Sequence, residues 1–463
     1  MASKVYYMDA RGNSAQTSMV AKMLTVFEAA GFDSLIKPGD VVAIKLHCGE
    51  WNNTAYLRPV YARAIADRVK ALGGRPFVCD TTTLPYGMYA SRCTGLDLMV
   101  TAERNGYNSA TLGCPFICAD GYMGTDDYRV DLPEGYILKE AYIAEAIAAA
   151  NVLIALTHFK GHAIGVVGGA IKNLGIGAQS KRGKFNVHMG GHPKYGFAAS
   201  SVFHPENFKG RKNEKDWQVL ERCCPFNLIH VTEDSIEWER EKCVSCIACL
   251  GLMSSRGIVD LSEEYFQATN AAIADACLAT IKAVGKVAFI NLALDISRGC
   301  DCVNFADVPI LPHLGVFAGY DPVAIDKACL DKAVETEGVR GSRAEEMEVL
   351  DSGKRKFEAC SPLMAGLSEE TQLNTGEIIG LGTRQYDLVP VAEKKMVDFV
   401  FPPDPRPVGV RLPPLFAKFQ PFPYDCYKGK GFRREEEVDL ERVNTYQNAS
   451  RKLSKNKRVK EKK

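Results

Sequence analysis

Residues 141–162, AYIAEAIAAANVLIALTHFKGH, predict a helix that runs into a buried strand and then into a polar loop. The alanine-rich first half has the spacing of an amphipathic helix, and Val152–Leu156 is an apolar run of strand length. Polar residues follow the strand, beginning near His158. Helices and strands that alternate in this way form α/β folds, in which ligands bind at the carboxyl ends of the parallel strands.

The same alternation extends to both sides of this stretch. Three further apolar runs predict strands, namely DVVAIKLHCGE (40–50), RPFVCDTTT (75–83) and VAFINLAL (287–294). Three amphipathic segments predict helices, namely LRPVYARAIADRVKALGG (57–74), FQATNAAIADACLATIKAVGK (266–286) and YDPVAIDKACLDKAV (320–334). Pro322 fits the first turn of the last helix, and Asp321 fits its N-cap. We therefore expect an α/β fold with a mostly parallel sheet and flanking helices.

The chain is long enough for more than one structural unit, and its composition changes twice along the sequence. We predict a first α/β part over 1–195, an insertion over 196–262 that holds a metal cluster, and a second α/β part over 263–390. Residues 391–463 are expected to be a proline-rich extension followed by a disordered basic tail, ASRKLSKNKRVKEKK.

Composition narrows the function classes. A net charge of +1 gives no reason to expect a nucleic-acid partner. The N-terminus lacks the apolar core of a signal peptide, and no apolar run has membrane-spanning length, so we expect a cytoplasmic protein without a membrane span. In such a protein, sixteen cysteines are better explained as metal ligands, buried thiols or catalytic groups than as a disulfide framework.

The segment CVSCIACLGLM (243–253) begins like the cluster motif of a bacterial ferredoxin. Cys243, Cys246 and Cys249 have the C-x2-C-x2-C spacing that supplies three ligands to one cluster. The fourth cysteine of the motif would lie at position 253, where this chain has Met253.

A second incomplete motif lies upstream. Cys224 precedes a proline, as the fourth cysteine of a ferredoxin motif does, but the three positions before it at motif spacing are Glu214, Trp217 and Leu220. In two-cluster ferredoxins the fourth cysteine of one motif ligates the other cluster, so the two losses are complementary. One complete ligand set remains and predicts a ferredoxin-like module with one [4Fe-4S] cluster, held by Cys224, Cys243, Cys246 and Cys249. A zinc site, a metal-free module and Cys223 as the fourth ligand are the alternatives.

Residues 157–188 form the densest polar stretch of the chain, with many glycines. The side chains that suit anion binding or acid–base chemistry are His158, Lys160, His162, Lys172, Asn173, Lys184 and His188. We predict that Lys160 and Lys172 hold a small anionic substrate and that His158 or His162 donates a proton. A structural turn with solvated lysines is the alternative.

Other polar residues follow predicted strands. They include Lys45, His47, Glu50, Asp80, Arg92 and Asp120. A second metal ion held by His47 and His188, with Asp80 or Asp120, is one prediction for this group. The segment SRGCDC (297–302) places Cys300, Asp301 and Cys302 after a strand, where the two thiols suit metal binding, redox chemistry or partial burial without a function.

The chain resembles the iron-sulfur-associated family named domain of unknown function 362. The resemblance rests on AIKLHCGE, RPFVCDTTTL, ICADGYMG, THFKGHAIGVVGGAIKNLGIG, GCDC and DPVAIDKACLD, which together cover roughly residues 40–335. It implies an α/β domain, often with an inserted two-cluster ferredoxin module, and it supports a site at 157–173. This chain departs from that pattern because the ligands of one cluster are missing.

Three functions fit these observations. The leading hypothesis is an iron-sulfur oxidoreductase that acts on a small anionic substrate and exchanges electrons with a redox partner protein. The second is an electron carrier or assembly partner without a substrate of its own. The third is a metal-dependent isomerase or lyase in which the cluster is structural.

Overall fold

The computed structural model describes residues 2–84, 90–210 and 214–395, together with the short stretches 413–418, 433–435 and 437–440. The chain divides into two units, 1–398 and 399–463. Most of the predicted extension and tail, 391–463, lies outside the described residues. In the second unit the structure describes one short helix, Pro413–Lys418.

Sixteen strands occur within the described residues. In chain order, β1 to β16 are Ser3–Met8, Val41–Lys45, Arg75–Asp80, Phe116–Cys118, Asp127–Asp131, Glu140–Ala144, Val152–His158, Lys160–His162, Val166–Gly168, Val202–Phe203, Ile229–Val231, Ile236–Trp238, Val259–Asp260, Val287–Ala293, Gly315–Gly319 and Tyr386–Pro390. Eight of them form one sheet in the order β16-β1-β15-β14-β7-β2-β3-β4. Only β15 pairs antiparallel with its two neighbours in this sheet. The predicted α/β fold with a mostly parallel sheet is therefore confirmed.

Helices cover both faces of the sheet. In the described part of the first unit, α1 to α15 are Met19–Ala29, Pro59–Ala71, Gly95–Arg104, Ser109–Leu112, Glu145–Ala148, Ala170–Gly175, Lys181–Val187, Phe197–Ser200, Glu214–Cys223, Leu250–Ser254, Glu263–Val284, Pro322–Glu335, Arg343–Glu346, Lys356–Cys360 and Thr371–Ile378. Two buried apolar clusters lie on opposite faces of the central strands, which explains why those strands are apolar throughout. None of the described helices combines the length and the apolar character that crossing a membrane requires.

The predicted strands are four neighbouring strands of the sheet, and one predicted helix is wrong. The segments predicted at 40–50, 75–83, 152–156 and 287–294 are β2, β3, β7 and β14, which lie side by side. Residues 140–144 form β6, which pairs with β5, and only Glu145–Ala148 is helical. Pairing with β5 and packing on α11 override the helix propensity of the alanines.

The segment predicted as an insertion has its own small strands. β10 pairs antiparallel with β13, so residues 202 and 260 near the two ends of the segment meet, and β11 pairs with β12. Trp217, Leu220 and Met253, which occupy positions of missing cysteines, are all buried apolar side chains. The boundaries at 196 and 262 stay a prediction.

Candidate functional site

The carboxyl ends of the central strands bring two predicted residues into a buried ion pair. Lys45 Nζ, at the end of β2, lies 3.0 Å from Asp80 Oδ1, at the end of β3. Burial by itself raises the pKa of Asp80, but the charges of Lys45 and His47 hold that pKa well below its usual range. Lys45 also donates to Leu46 O at 2.7 Å. These two residues neutralise one another within the site.

Asp301 forms the second buried ion pair, with residues that are about 140 positions earlier in the chain. Its carboxylate lies 3.0 Å from His158 Nδ1 and 2.7 Å from Lys160 Nζ. His158 Nε2 faces Leu294 O at 2.6 Å, so both ring nitrogens are engaged by acceptors. His158 and Lys160 therefore hold Asp301 in place and are already engaged before any substrate arrives.

Gly161 allows this part of the chain to approach the loop that carries Asp301. A Cβ atom added at Gly161 would lie 2.3 Å from Arg298 O, closer than any side chain can come. The Gly161 N–H also donates to Ser297 O at 2.9 Å. Only glycine lets β8 lie directly against residues 297–302.

Lys172 is a partly buried lysine for which the described residues supply no hydrogen-bond or salt-bridge partner. It lies on α6, whose N-terminus is capped by the buried carboxylate of Asp326. Within the described residues its ammonium group makes no hydrogen bond or salt bridge. Burial, followed by the charges of Lys160 and Lys45, lowers the pKa of Lys172 from 10.5 to about 7.

His162 lies beside the two cysteines of the GCDC segment. Its Nδ1 accepts hydrogen bonds from Ile164 N at 3.2 Å and Gly165 N at 2.7 Å, and its Nε2 lies 3.8 Å from Cys302 Sγ. Cys300 and Cys302 are joined by a disulfide. Burial and the charge of Lys172 hold the pKa of His162 well below its usual value, so the ring is neutral.

These three side chains also have metal-ligand spacing. Among the described residues they are the one group of three histidine, cysteine or acidic side chains whose ligand atoms all lie within 4.8 Å of one another. The group can therefore hold a metal ion on geometric grounds.

The four residues predicted to bind a second metal are not such a group. Asp120 accepts hydrogen bonds from Thr82 N and Oγ1, and Asp80 is paired with Lys45. His47 Nδ1 accepts from a backbone N–H at 2.9 Å. His188 is different, because its buried Nδ1 has no hydrogen-bond partner in the part of the chain that the structure describes. Its pKa is lowered to about 4 by burial and by the charges of two lysines.

A cavity of about 250 Å³ connects these groups to the cysteine-rich segment. Its polar wall comes from the α/β part and includes Glu50, His162, Lys172, His188 and Cys302. Its apolar wall comes mainly from around α10 and from the loop after Cys302, with Ile247, Leu250, Gly251, Ser254, Val303 and Phe305. The volume is close to the lower end of small-molecule sites, roughly 300 Å³. A small molecule with a polar end fits this wall composition.

Sequence reasoning found the polar wall and missed the apolar one. Residue type alone identifies Glu50, His162, Lys172, His188 and Cys302 as candidates in the sequence. The apolar wall carries no signal of its own, because its side chains are the ordinary core residues of a helix and a loop.

The four cysteines predicted to bind the cluster line one small apolar cavity. Cys224, Cys243, Cys246 and Cys249 share it with Phe197, Phe226 and Trp238. Backbone N–H groups donate to two of the sulfurs, from Leu228 to Cys224 Sγ and from Ser245 to Cys243 Sγ, both at 3.4 Å. The Cys223 thiol instead donates to Leu220 O at 3.0 Å.

The loop between these cysteines has an unusual backbone. Ser245 and Ile247 have φ angles of 59° and 58°, in the left-handed region that a β-branched residue such as isoleucine strongly disfavours. The three cysteines of this loop line the same cavity. Ile247 lines both the cysteine cavity and the 250 Å³ cavity, so one side chain separates the two.

Comparisons with known proteins bear on the family alone. No curated protein matches the sequence. Among solved structures, the lactate racemase apoprotein from Thermoanaerobacterium thermosaccharolyticum aligns over 63% of this chain, at 10% identity and a TM-score of 0.32. The alignment spans 51% of that protein, about half its length, and a similarity this low assigns neither fold nor function. The family described as a domain of unknown function (DUF362) matches residues 42–331, well over half of the chain, and the protein therefore belongs to the DUF362 family.

Proposed function

We propose that the protein is an iron-sulfur oxidoreductase with one [4Fe-4S] cluster, acting on a small anionic substrate in the 250 Å³ cavity. The observation that supports this proposal most is that Ile247 lines both the cysteine cavity and the 250 Å³ cavity. This side chain lies between Cys246 and Cys249 in the sequence and separates their cavity from the cavity of Lys172 and His162. A one-electron group at the cysteines would therefore be next to the substrate.

The arrangement of the cysteines favours a cluster over zinc. In a tetrahedral zinc site with Zn–S bonds of about 2.3 Å, neighbouring sulfurs are about 3.8 Å apart. No three of the four sulfurs, all of them in the described part of the chain, lie within 4.8 Å of one another. The N–H···S hydrogen bonds and the apolar surroundings also suit cluster thiolates. When bound, the cluster would supply one-electron transfer.

The cysteine cavity also offers a place for a redox partner. Cys224 is partly exposed, and the adjacent Phe226 is 55% exposed while it lines the same cavity. An electron donor or acceptor protein can therefore approach the cysteines from the surface without entering the substrate cavity.

The charges around the cavity support an anionic substrate. Lys45, Lys160 and Arg92 each have a buried carboxylate within about 3.2 Å, whereas Lys172 has none among the described residues. A buried cation without a partner is costly, and a carboxylate or phosphate would neutralise it. His188, whose buried Nδ1 has no hydrogen-bond partner among the described residues, lines the same cavity and could supply a second polar contact.

The remaining predicted residues take different roles. Of the two histidines predicted as proton donor, His162 lines the cavity, whereas both nitrogens of His158 are engaged. In its neutral form the His162 ring donates a hydrogen bond through Nε2–H and acts as an acid only after it takes up a proton. His158 and Lys160 position Asp301. A cytoplasmic location remains part of the proposal, since a reducing compartment keeps cluster cysteines available.

The cluster half of the proposal is tested by iron and sulfide analysis of protein purified anaerobically. The wild type and Cys223→Ser are expected to hold about four iron and four sulfide atoms per chain, and Cys224→Ser to lose most of both. The two variants are matched because the cysteines are adjacent. Loss in Cys223→Ser with retention in Cys224→Ser would contradict the ligand assignment.

The substrate half is tested by reoxidation of the anaerobically reduced protein with a panel of small carboxylates and phosphate esters. A compound that reoxidises the wild type is expected to fail with Lys172→Met and to work with Lys37→Met, which removes an exposed lysine. Equal reoxidation of both variants would show that the cavity is not the substrate site and would favour the function of an electron carrier.

A further inference from the structure

We infer that Cys300 and Cys302 form a redox-active thiol–disulfide pair in the substrate cavity, with His162 as the hydrogen-bond donor to Cys302. This pair is a second redox group that can act without the cluster. Three features favour it: the tautomer of His162, the hydrogen-bond donors beside both sulfurs, and the loop that holds the sulfurs together.

The hydrogen bonds of His162 decide between redox chemistry and metal binding. Two backbone N–H groups, from Ile164 and Gly165, donate to Nδ1, so Nδ1 carries a lone pair. In a neutral ring the proton must then be on Nε2, which faces Cys302 Sγ at 3.8 Å. A histidine metal ligand needs the opposite tautomer, with its second nitrogen donating to an acceptor. The ring is therefore set to donate to sulfur.

Both sulfurs would keep a donor after reduction. Cys302 Sγ faces His162 Nε2, and Cys300 Sγ accepts from Cys302 N at 3.3 Å. Hydrogen bonds of this kind stabilise thiolates and make a disulfide easier to reduce. Cys302 lines the cavity and is partly exposed, whereas Cys300 is buried. Cys302 is therefore the sulfur that a reductant can reach.

The loop around the pair is held on both sides. The Asp301 carboxylate is fixed by Lys160 and His158, and Glu50 N donates to Asp301 O at 2.9 Å. Asn53 Nδ2 donates to Val303 O and to Phe305 O, both at 3.0 Å. The two sulfurs therefore stay close together in either redox state, so the bond can form again.

The reductant we name is a small dithiol, and the reaction balances in two steps. A dithiol thiolate attacks Cys302 Sγ, the S–S bond breaks, and its electron pair leaves on Cys300 Sγ, which takes up a proton. The second thiolate of the dithiol then attacks its own mixed disulfide and releases the Cys302 thiolate, which accepts a hydrogen bond from His162 Nε2–H and takes up a proton from solvent. The dithiol is oxidised to its cyclic disulfide, and two cysteine thiols are formed.

The test is a redox titration of the full-length protein in mixtures of reduced and oxidised dithiothreitol, followed by alkylation and peptide mass spectrometry. Trypsin releases residues 299–327, in which Cys300 and Cys302 are the two cysteines. The peptide is expected to change from no alkyl group to two alkyl groups in one cooperative step. A peptide that carries two alkyl groups in every mixture, or none, would overturn the proposal.

Variants separate the role of His162 from a structural one. His162→Leu removes the donor and is expected to shift the equilibrium about tenfold toward the disulfide. His162→Gln can donate and should restore most of that shift, which a merely structural role would not predict. Equal shifts of the thiol–disulfide equilibrium in both variants would show that His162 is not the donor.

Two further arms separate this inference from the alternatives. Cys224→Ser is expected to leave the titration of the 299–327 peptide unchanged, so loss of the cluster and failure of the disulfide are distinguishable. One equivalent of Zn²⁺ added to the reduced protein is expected to leave both cysteines open to alkylation. Protection of both by zinc would identify the group as a metal site and would contradict the redox assignment.

Discussion

Replacing Lys172 with methionine is expected to stabilise the protein without ligand and to weaken its binding of anions. Lys172 lies on α6, is partly buried and has no hydrogen-bond or salt-bridge partner among the described residues, and its pKa falls from 10.5 to about 7. Methionine has nearly the same shape and no charge. The substitution therefore removes an unfavourable group while it keeps the packing.

The sign and the size of the effect follow from the pKa. In the unfolded chain Lys172 takes up a proton below about pH 10.5, and in the folded chain only below about pH 7. Between these values the unfolded state binds more protons, so this residue makes the wild type more stable as the pH rises. The slope is about 1.4 kcal/mol per pH unit, and the cost near pH 7 is about 4 kcal/mol at most.

The assay is urea unfolding of the wild type and of Lys172→Met from about pH 7 to about pH 9. The variant is expected to be more stable near pH 7, and its advantage should shrink as the pH rises. Lys37→Met, at an exposed lysine, should change stability by no more than about 0.5 kcal/mol at any pH. A Lys172→Met protein that is less stable than the wild type, or a difference that does not depend on pH, would refute the reasoning.

Three further outcomes are expected. Asp301→Asn leaves the buried Lys160 ammonium, and the His158 ring beside it, without a carboxylate and should lower the free energy of unfolding in urea by about 3–5 kcal/mol; a loss under about 1 kcal/mol would contradict the ion-pair assignment. Gly161→Ala places a Cβ atom 2.3 Å from a carbonyl oxygen and should lower Tm clearly, whereas Gly299→Ala, whose nearest contact would be at 4.0 Å, should not. Equal Tm values for the two glycine variants would count against the close approach of β8 to the loop. Inorganic phosphate should raise the Tm of the wild type but not that of Lys172→Met, and equal increases would place the anion elsewhere.

The central sheet was predictable because its strands are buried on both faces. The segments that contain β2, β3, β7 and β14 are continuous apolar runs with polar ends, and their short length and β-branched content identify them as buried strands. β6 was not predictable in the same way. Its alanines favour a helix locally, and only pairing with β5 and contact with α11 make a strand of them.

The candidate site was predictable in its residues and not in their pairing. The polar positions after strands were visible from residue type, and the fold brings Lys45 to Asp80 through neighbouring parallel strands. The partner of His158 and Lys160 was not visible, because Asp301 is about 140 residues away and reaches them through a loop. Lys172 lacks a carboxylate partner among the described residues because the nearby carboxylates are paired with other cations. Only the three-dimensional structure shows this pairing.

The proposed electron transfer requires a cluster at the four cysteines beside the cavity. The most direct measurement is quantitative EPR spectroscopy of the protein purified anaerobically and reduced with dithionite. We predict the signal of one reduced [4Fe-4S] cluster, close to one spin per chain, in the wild type and in Cys223→Ser, and its loss in Cys224→Ser. A wild type that holds iron and sulfide but gives no such signal at accessible potentials would contradict the oxidoreductase assignment, and a full signal in Cys224→Ser would contradict the ligand set.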